Sequence, residues 1–382
     1  MNILIFSEDP QALVNGSDTQ GRMREYARTL GQLYVIVRAA EHGRMAASGG
    51  LFLYPAAPRG VLGFLRAWRI GAMLCCAHRF DVISVQAPSL FGCIGFLLSR
   101  RFGTPFQLQL HTDYMNPWYR RAGWKERLHY ALARVLVPQA DCVRAVSERI
   151  RRSFQTKSGM DSRLSLKWKI AVLPIFTDTS RFLDAKADPE TKRRLHDYDF
   201  KMIAVGRFVD REKNFFLLID VMRLFVRICP ASLLVIVGEG PDREGYESRI
   251  RDHGLEKNVI LERWRDDLAS FYKSFDLFLM SSDYEGWGRA VIEAMAAGLP
   301  IVMTDVGLAR EIIKNGKNGL IVPVRDRAAF LAGIMRLYRN PGERARIASS
   351  ARASAEEYAE KTKAQYLALY KKSFLMCCQK GN

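Results

Sequence analysis

The chain has 382 residues, with 58 lysines and arginines against 40 aspartates and glutamates, a net charge of +18. Its 48% hydrophobic and 11% aromatic content excludes a disordered or fibrous chain, and at roughly 150 residues per domain the length suggests two domains. The longest apolar runs, at 61–65 and 90–99, are cut by charge well short of the roughly 20 residues a bilayer span needs, so no membrane-crossing helix is expected.

Short β-branched runs alternate with helix-period segments along the whole chain, the pattern of parallel α/β sheets. Predicted strands in the first half lie at 2–6, 34–37, 81–86, 106–110, 142–146 and 170–174. The second half predicts strands at 202–206, 233–238, 258–262, 276–281, 300–304 and 320–323. Two sets of six suggest two doubly wound halves, joined by the polar segment 176–200, with a long helix at about 342–376 able to return to the first half. In such sheets ligands gather beyond the carboxyl ends of the strands, and pockets favour domain interfaces, so a cleft is expected.

The opening MNILIFSEDP starts as a strand without a basic leader, so no signal peptide is expected. The seven cysteines include no CxxC, and Cys75-Cys76 and Cys377-Cys378 read as buried or incidental thiols, which suits a reducing cytoplasm. Residues 1–180 hold 24 basic and 12 acidic side chains, whereas the remainder holds 34 and 28. Such a bias points to anionic partners: nucleic acid, an acidic membrane surface or phosphorylated small molecules.

The segment YEGWGRAVIEAMAAGLP at 284–300 carries Glu285 and Glu293 with seven residues between them. A buried strand precedes it, the turn contains Gly286 and Gly288, and a helix is predicted to start near Gly288. Glycine backbone can approach a ligand closely, and the free N–H groups of a first helical turn attract anions. A diphosphate there would lie between two hydroxyl-accepting carboxylates. Upstream, VGRFVDREKN at 205–214 follows a strand and supplies Arg207 as a fork and Lys213 as a point charge, both suited to a diphosphate.

The segment SDYEGWGRAVIEAMAAGLPIVMTDVGLAREII resembles the E-x7-E region of the retaining glycosyltransferases of family 4, and VGRF…EKN resembles that family's phosphate-binding loop. VGEGP at 237–241, PQADCVRAVSERI and VLPIFTDTSRF extend the likeness over most of residues 81–324. The resemblance implies a GT-B architecture, two facing Rossmann-like domains with a central cleft. Residues 1–180 with a C-terminal helix at about 360–382 would bind the acceptor, and 181–359 the nucleotide sugar. By the same resemblance Glu293 accepts from the ribose hydroxyls, Glu285 with the amides of Gly286, Trp287 and Gly288 faces the donor sugar, and Arg207 and Lys213 hold the diphosphate. Gly16 resembles the family's N-terminal glycine loop. His111 in QLHTDY resembles the residue near the donor sugar and acceptor hydroxyl, with Asp113 beside it. No metal or other cofactor is implied. Where the family often has paired glycines this chain reads Gly307-Leu308, and Arg263 replaces a frequent glycine before Trp264, which bears on the base pocket.

A metal-binding DxD is matched by DYD at 197–199, but within the polar linker, and the first loop lacks the GxGxxG of a dehydrogenase. A basic nucleic-acid-binding protein without catalytic activity is the alternative reading of the charge. It leaves the glutamate pair unexplained, and no RNP-type or zinc-finger spacing occurs. Trp118, Arg120, Arg121, Trp124 and Lys125, with a similar run at 64–74, read as a surface for an anionic membrane. The expected partners are therefore a nucleotide sugar, a lipid-linked or glycan acceptor and the inner face of the cytoplasmic membrane.

Overall fold

A computed structural model describes residues 1–39, 46–58, 60–157, 170–359 and 363–379. They divide into two compact units, Met1–Pro174 with Lys363–Asn382, and Ile175–Thr362. Both are parallel-sheet α/β structures.

The first unit contains strands β1 (Asn2–Ser7), β2 (Gln32–Arg38), β3 (Ala46–Ser48), β4 (Leu51–Ala56), β5 (Val82–Val85), β6 (Phe106–Leu110), β7 (Cys142–Ala145) and β8 (Ile170–Val172). Their order is β3-β4-β2-β1-β5-β6-β7-β8, and every pairing is parallel except β3 with β4. Central strands are buried on both faces, which is why they read as continuous apolar runs such as NILIF. The six strands expected from sequence are present; β3 and β4 are additional. They form a hairpin around Gly49 and Gly50, with φ of 55° and 86°, the left-handed pair a two-residue loop demands. The glycine pair was the available signal, but Pro55 at the end of β4 weakened the strand pattern.

Helices α1 (Asp18–Leu30), α2 (Val61–Ala77), α3 (Leu90–Phe102), α4 (Pro117–Arg121), α5 (Trp124–Gln139) and α6 (Glu148–Lys157) connect these strands. Sequence sets their ends: Ser89 caps α3 by accepting from the Gly92 N–H at 3.1 Å, and Gly103, in the left-handed region, stops it. Helices α2 and α3 pack on each other and on the sheet, and α5 packs on α3, so the three make one layer.

The second unit has β9 (Phe200–Val205), β10 (Ser232–Val237), β11 (Val259–Glu262), β12 (Leu277–Met280), β13 (Ile301–Thr304) and β14 (Leu320–Val322), all parallel, in the order β11-β10-β9-β12-β13-β14. The six expected strands match these six. Residues 176–200 contain α7 (Ser180–Leu183), α8 (Pro189–Arg194) and the first residue of β9. The remaining helices are α9 (Asp210–Lys213), α10 (Phe215–Phe225), α11 (Arg243–Asp252), α12 (Leu268–Tyr272), α13 (Arg289–Ala296), α14 (Arg327–Arg339) and α15 (Pro341–Ala359). Phe225, Met222 and Leu218 on α10 bury fully against β9 and β10 in one core. The strand order grows outward in opposite directions from β9 and β12. The order thus reverses between β9 and β12, and in open α/β sheets ligands gather beyond the carboxyl ends of the strands at such a switch point.

The expected helix over 342–376 is described as α15 and a separate α16 (Lys363–Cys378), on either side of residues 360–362, which with 380–382 lie outside the described residues. Helix α16 packs on α1, β5, β6 and β7 of the first unit. Cys377, expected as a free thiol, is instead joined to Cys142 in a disulfide, with Cα atoms 5.0 Å apart and a sequence separation of 235. Neighbours in sequence did not reveal that pair because the fold, not local spacing, brings it together. Among the described residues no helix is long and apolar enough to cross a membrane.

Candidate active site

Strands β9 and β12 are neighbours, with Ile203 opposite Phe278, so the loops at their carboxyl ends start side by side. The first carries Arg207 and leads into α9, which ends on Lys213; the second carries Ser281, Ser282, Asp283 and Glu285. Lys213 forms an ion pair with Glu285 and lies 3.1 Å from Glu212. Arg207 reaches the other oxygen of Glu212 at 2.6 Å. Four charges of alternating sign thus line up across the strand junction. Burial works against the Lys213 charge, but Glu285 and Glu212 outweigh it and hold its pKa above the usual lysine range. Burial likewise opposes the Glu212 charge, and Lys213 with Arg207 outweighs it, so that carboxyl lies below its usual range. Lys213 and Glu212 are therefore both charged at neutral pH. Lys213 and Glu285 side chains are 14% and 13% exposed, whereas Arg207 is 70% exposed and can swing to an incoming anion.

Further bonds fix this geometry. Ser282 Oγ donates to Glu285 Oε1 at 3.0 Å, Ser281 Oγ to the Lys213 carbonyl at 2.7 Å, and the Asp283 N–H to the Glu212 carbonyl at 2.9 Å. Buried Asp283 accepts from Asn214 Nδ2 at 2.9 Å and pairs with Arg325 at 2.6 Å. Glu212, Asp283 and Arg325 were not anticipated from sequence. The only available signal was Glu212's position beside Lys213, and nothing local said which way it would face.

Gly288, at φ 102°, starts α13 and leaves its first-turn N–H groups without a side-chain cap. Glu293 sits one turn further on, 7% exposed, with Arg289 3.5 Å away. Burial raises its pKa, with Arg289 and Arg181 opposing. Gly307, at φ 54°, answers the question posed by the single glycine there. A Cβ on it would meet the Trp287 carbonyl at 2.4 Å and Glu285 Cβ at 3.0 Å, and the next residue's N–H donates to that carbonyl at 2.9 Å. One glycine suffices to buttress the Glu285 loop. Trp287 has its ring in the core, so it offers the loop backbone, and Arg263 is exposed beyond β11.

Gly16, His111 and Asp113 belong to the first unit. Gly16, at φ 80°, precedes the Ser17 cap of α1. His111 immediately follows β6, and its Nε2 lies 3.3 Å from Gln109 Oε1. Arg144 Nη1 donates to that same oxygen at 2.9 Å, which fixes the Gln109 amide and makes His111 Nε2 the protonated nitrogen. Burial, then Arg144 and Arg22, push the imidazole pKa down to about 3, so it is neutral with Nδ1 free to accept. Asp113 is buried and accepts from the Met115 N–H at 3.2 Å, shaping the turn after His111. Arg120, Arg121, Trp124 and Lys125 are exposed and Trp118 half-buried, with Arg121 5.2 Å from the Trp118 ring and Lys125 5.7 Å from the Trp124 ring.

Two family models match this chain: the glycosyl transferase 4-like domain over residues 20–166 and the glycosyl transferases group 1 domain over residues 188–354. The chain belongs to family 4 of the glycosyltransferases, the group 1 enzymes. A lipopolysaccharide core biosynthesis glycosyltransferase, LpsE of Rhizobium meliloti, is 32% identical over 201 residues, 50% of this chain and 54% of LpsE, so the match spans about half of that relative. The UDP-Gal:alpha-D-GlcNAc-diphosphoundecaprenol alpha-1,3-galactosyltransferase of Escherichia coli is 27% identical over 175 residues, 44% of this chain and 45% of that protein. The crystal structure of Anabaena HepE in complex with UDP is similar with a TM-score of 0.70 and 19% identity, covering 97% of this chain and 98% of that one. The fold is accordingly GT-B.

Proposed function

We propose that the protein transfers a hexose from a UDP- or GDP-linked donor, with retention at the anomeric carbon, to a lipid-linked or glycan acceptor of the cell envelope, working on the cytoplasmic side of the membrane. The observation that supports this most is the row Arg207, Glu212, Lys213 and Glu285 at the β9–β12 junction, beside the uncapped start of α13. Relatives named for lipopolysaccharide core and diphosphoundecaprenol-linked substrates, and a similar fold holding UDP, agree with it. Arg207 turns from Glu212 to the diphosphate, Lys213 neutralises charge from behind, and the α13 amides meet an oxygen. Glu293 accepts from the ribose, and Glu285 orients the sugar. As the bond from the anomeric carbon to the phosphate oxygen breaks, the acceptor hydroxyl oxygen attacks from the same face. Its proton passes to the departing diphosphate. Neutral His111, with Nδ1 as acceptor, suits a sugar hydroxyl rather than a phosphate.

The test begins with a thermal-shift screen of UDP and GDP, where a ligand at 100 times its dissociation constant stabilises by about 2.7 kcal/mol. The matching nucleotide sugar is then offered to candidate acceptors and the linkage read by NMR. An inverted anomeric centre ends the retaining reading. The residues invoked need no metal, so EDTA should leave the rate largely intact; loss in EDTA restored by Mg²⁺ or Mn²⁺ would move the charge-neutralising role from Arg207 and Lys213 to an ion.

A further inference from the structure

We propose that the α2–α3–α5 layer of the first unit, with α4, is a docking face for an anionic lipid bilayer, and that its apolar rim lies at the sheet edge from which His111 emerges. The surface argument stands on this unit's own composition. Only its use, presenting a lipid-linked acceptor at His111, rests on the transfer reaction proposed above.

Helices α2 and α3 contain no carboxylate, and α4 and α5 contain one, Glu126, which is buried. Against it stand nine arginines and lysines on these four helices, all exposed. A solvated helix face ordinarily mixes both signs. The same helices carry eight of the thirteen large hydrophobic side chains exposed among the described residues. On α2, Leu62, Leu65, Arg66, Arg69 and Met73 stand at positions i, i+3, i+4, i+7 and i+11, so apolar and cationic groups share one stripe.

Topology places the rim. Strands β4, β5 and β6 run parallel to β1, so the helices that follow them begin at one edge of the sheet, the edge where His111 follows β6. Val61, Leu62 and Leu65 open α2, Leu90 opens α3, and Trp124, 71% exposed, opens α5. Aliphatic residues between cations suit the bilayer interface, where apolar groups enter the acyl boundary and cations meet anionic headgroups. Nucleic acid rewards the cations but not exposed leucines. A second copy would set one carboxylate-free face against another.

The full-length protein is sedimented with vesicles of phosphatidylcholine, with and without about a third phosphatidylglycerol, at physiological salt. Binding should be at least tenfold stronger to the anionic vesicles. Arg66→Glu/Arg69→Glu and, separately, Leu62→Ser/Leu65→Ser should each lower it by about tenfold or more. All four side chains are exposed, so melting temperatures should stay at the parent's value. A measurement without a folding risk is tryptophan emission, which should shift to the blue on adding anionic vesicles and lose that shift in Trp124→Phe. Equal binding to neutral vesicles, parental binding by both double variants, or tighter binding to duplex DNA than to the anionic vesicles overturns the proposal. Neither donor nor acceptor is present, so that failure leaves the transfer reading in place.

Discussion

Removing the Lys213 ammonium separates holding the site together from neutralising the leaving group. Lys213→Ala changes the four-residue row from net zero to net −1 and leaves Glu285 and Glu212 facing each other without their shared cation. Both carboxylates are mostly buried, and breaking one side of such a pair costs about 3–5 kcal/mol. The second unit has 188 residues between Ile175 and Thr362, a size at which each kcal/mol moves a melting temperature by about 2–4 °C. Calorimetry should therefore show its transition about 6–12 °C lower, taking the smaller figure of about 3 kcal/mol. Arg207→Ala tells the other half. That side chain is 70% exposed, and an exposed pair contributes about 0–1 kcal/mol, so the transition should move by about 4 °C at most. Yet kcat should fall about a hundredfold in both variants, the scale seen when one preorganised donor to a developing anion is deleted. A parental melting temperature in Lys213→Ala, or parental kcat in Arg207→Ala, would show that the row has been misread.

Glu293 gives a pH-dependent prediction with the opposite sign. Its folded pKa is raised by burial, so stability falls as pH rises from about 4.5 through the folded value, and Glu293→Gln should melt above the parent at pH 7 but with it near pH 4, while raising the donor KM at neutral pH. A variant less stable than the parent at pH 7 would show that the ionised carboxylate is stabilising. For His111, nitrogen-15 NMR should report the Nε2–H tautomer with no titration from about pH 5.5 to 8, the signal being identified by its loss in His111→Gln. Gln109→Leu should abolish the tautomer preference; a parental imidazole titrating near pH 6.5 would refute the relay.

The second sheet was legible because parallel strands buried on both faces announce themselves as apolar runs, and six such runs became six strands. Apart from Arg263, which follows β11, the site residues that sequence singled out there sit in the segments after β9 and β12, where spacing carries geometry. What stayed illegible depended on distant pairing. Glu212 reads as an ordinary surface acid until Arg207 and Lys213 close on it. Arg144 reads as a strand residue in CVRAV, yet it is buried and reaches Gln109, the Leu173 carbonyl and Tyr366. The basic aromatic segment at 118–125 was visible, but the missing carboxylates of its neighbours counted only once the fold gathered four helices.

The first unit is discontinuous in sequence, and that sets an order of events during synthesis. Its sheet strands leave the ribosome first, the whole second unit follows, and only then does α16 arrive. Until it does, Arg144 lacks the Tyr366 hydroxyl and the Tyr370 ring 4.9 Å away, and Cys142 lacks Cys377. A nascent first unit thus exposes a cation and an uncovered sheet face while roughly half the chain is still being made, the kind of surface that chaperones protect. Any alteration that delays or removes α16 should act as a folding lesion in the half of the molecule that was translated earliest.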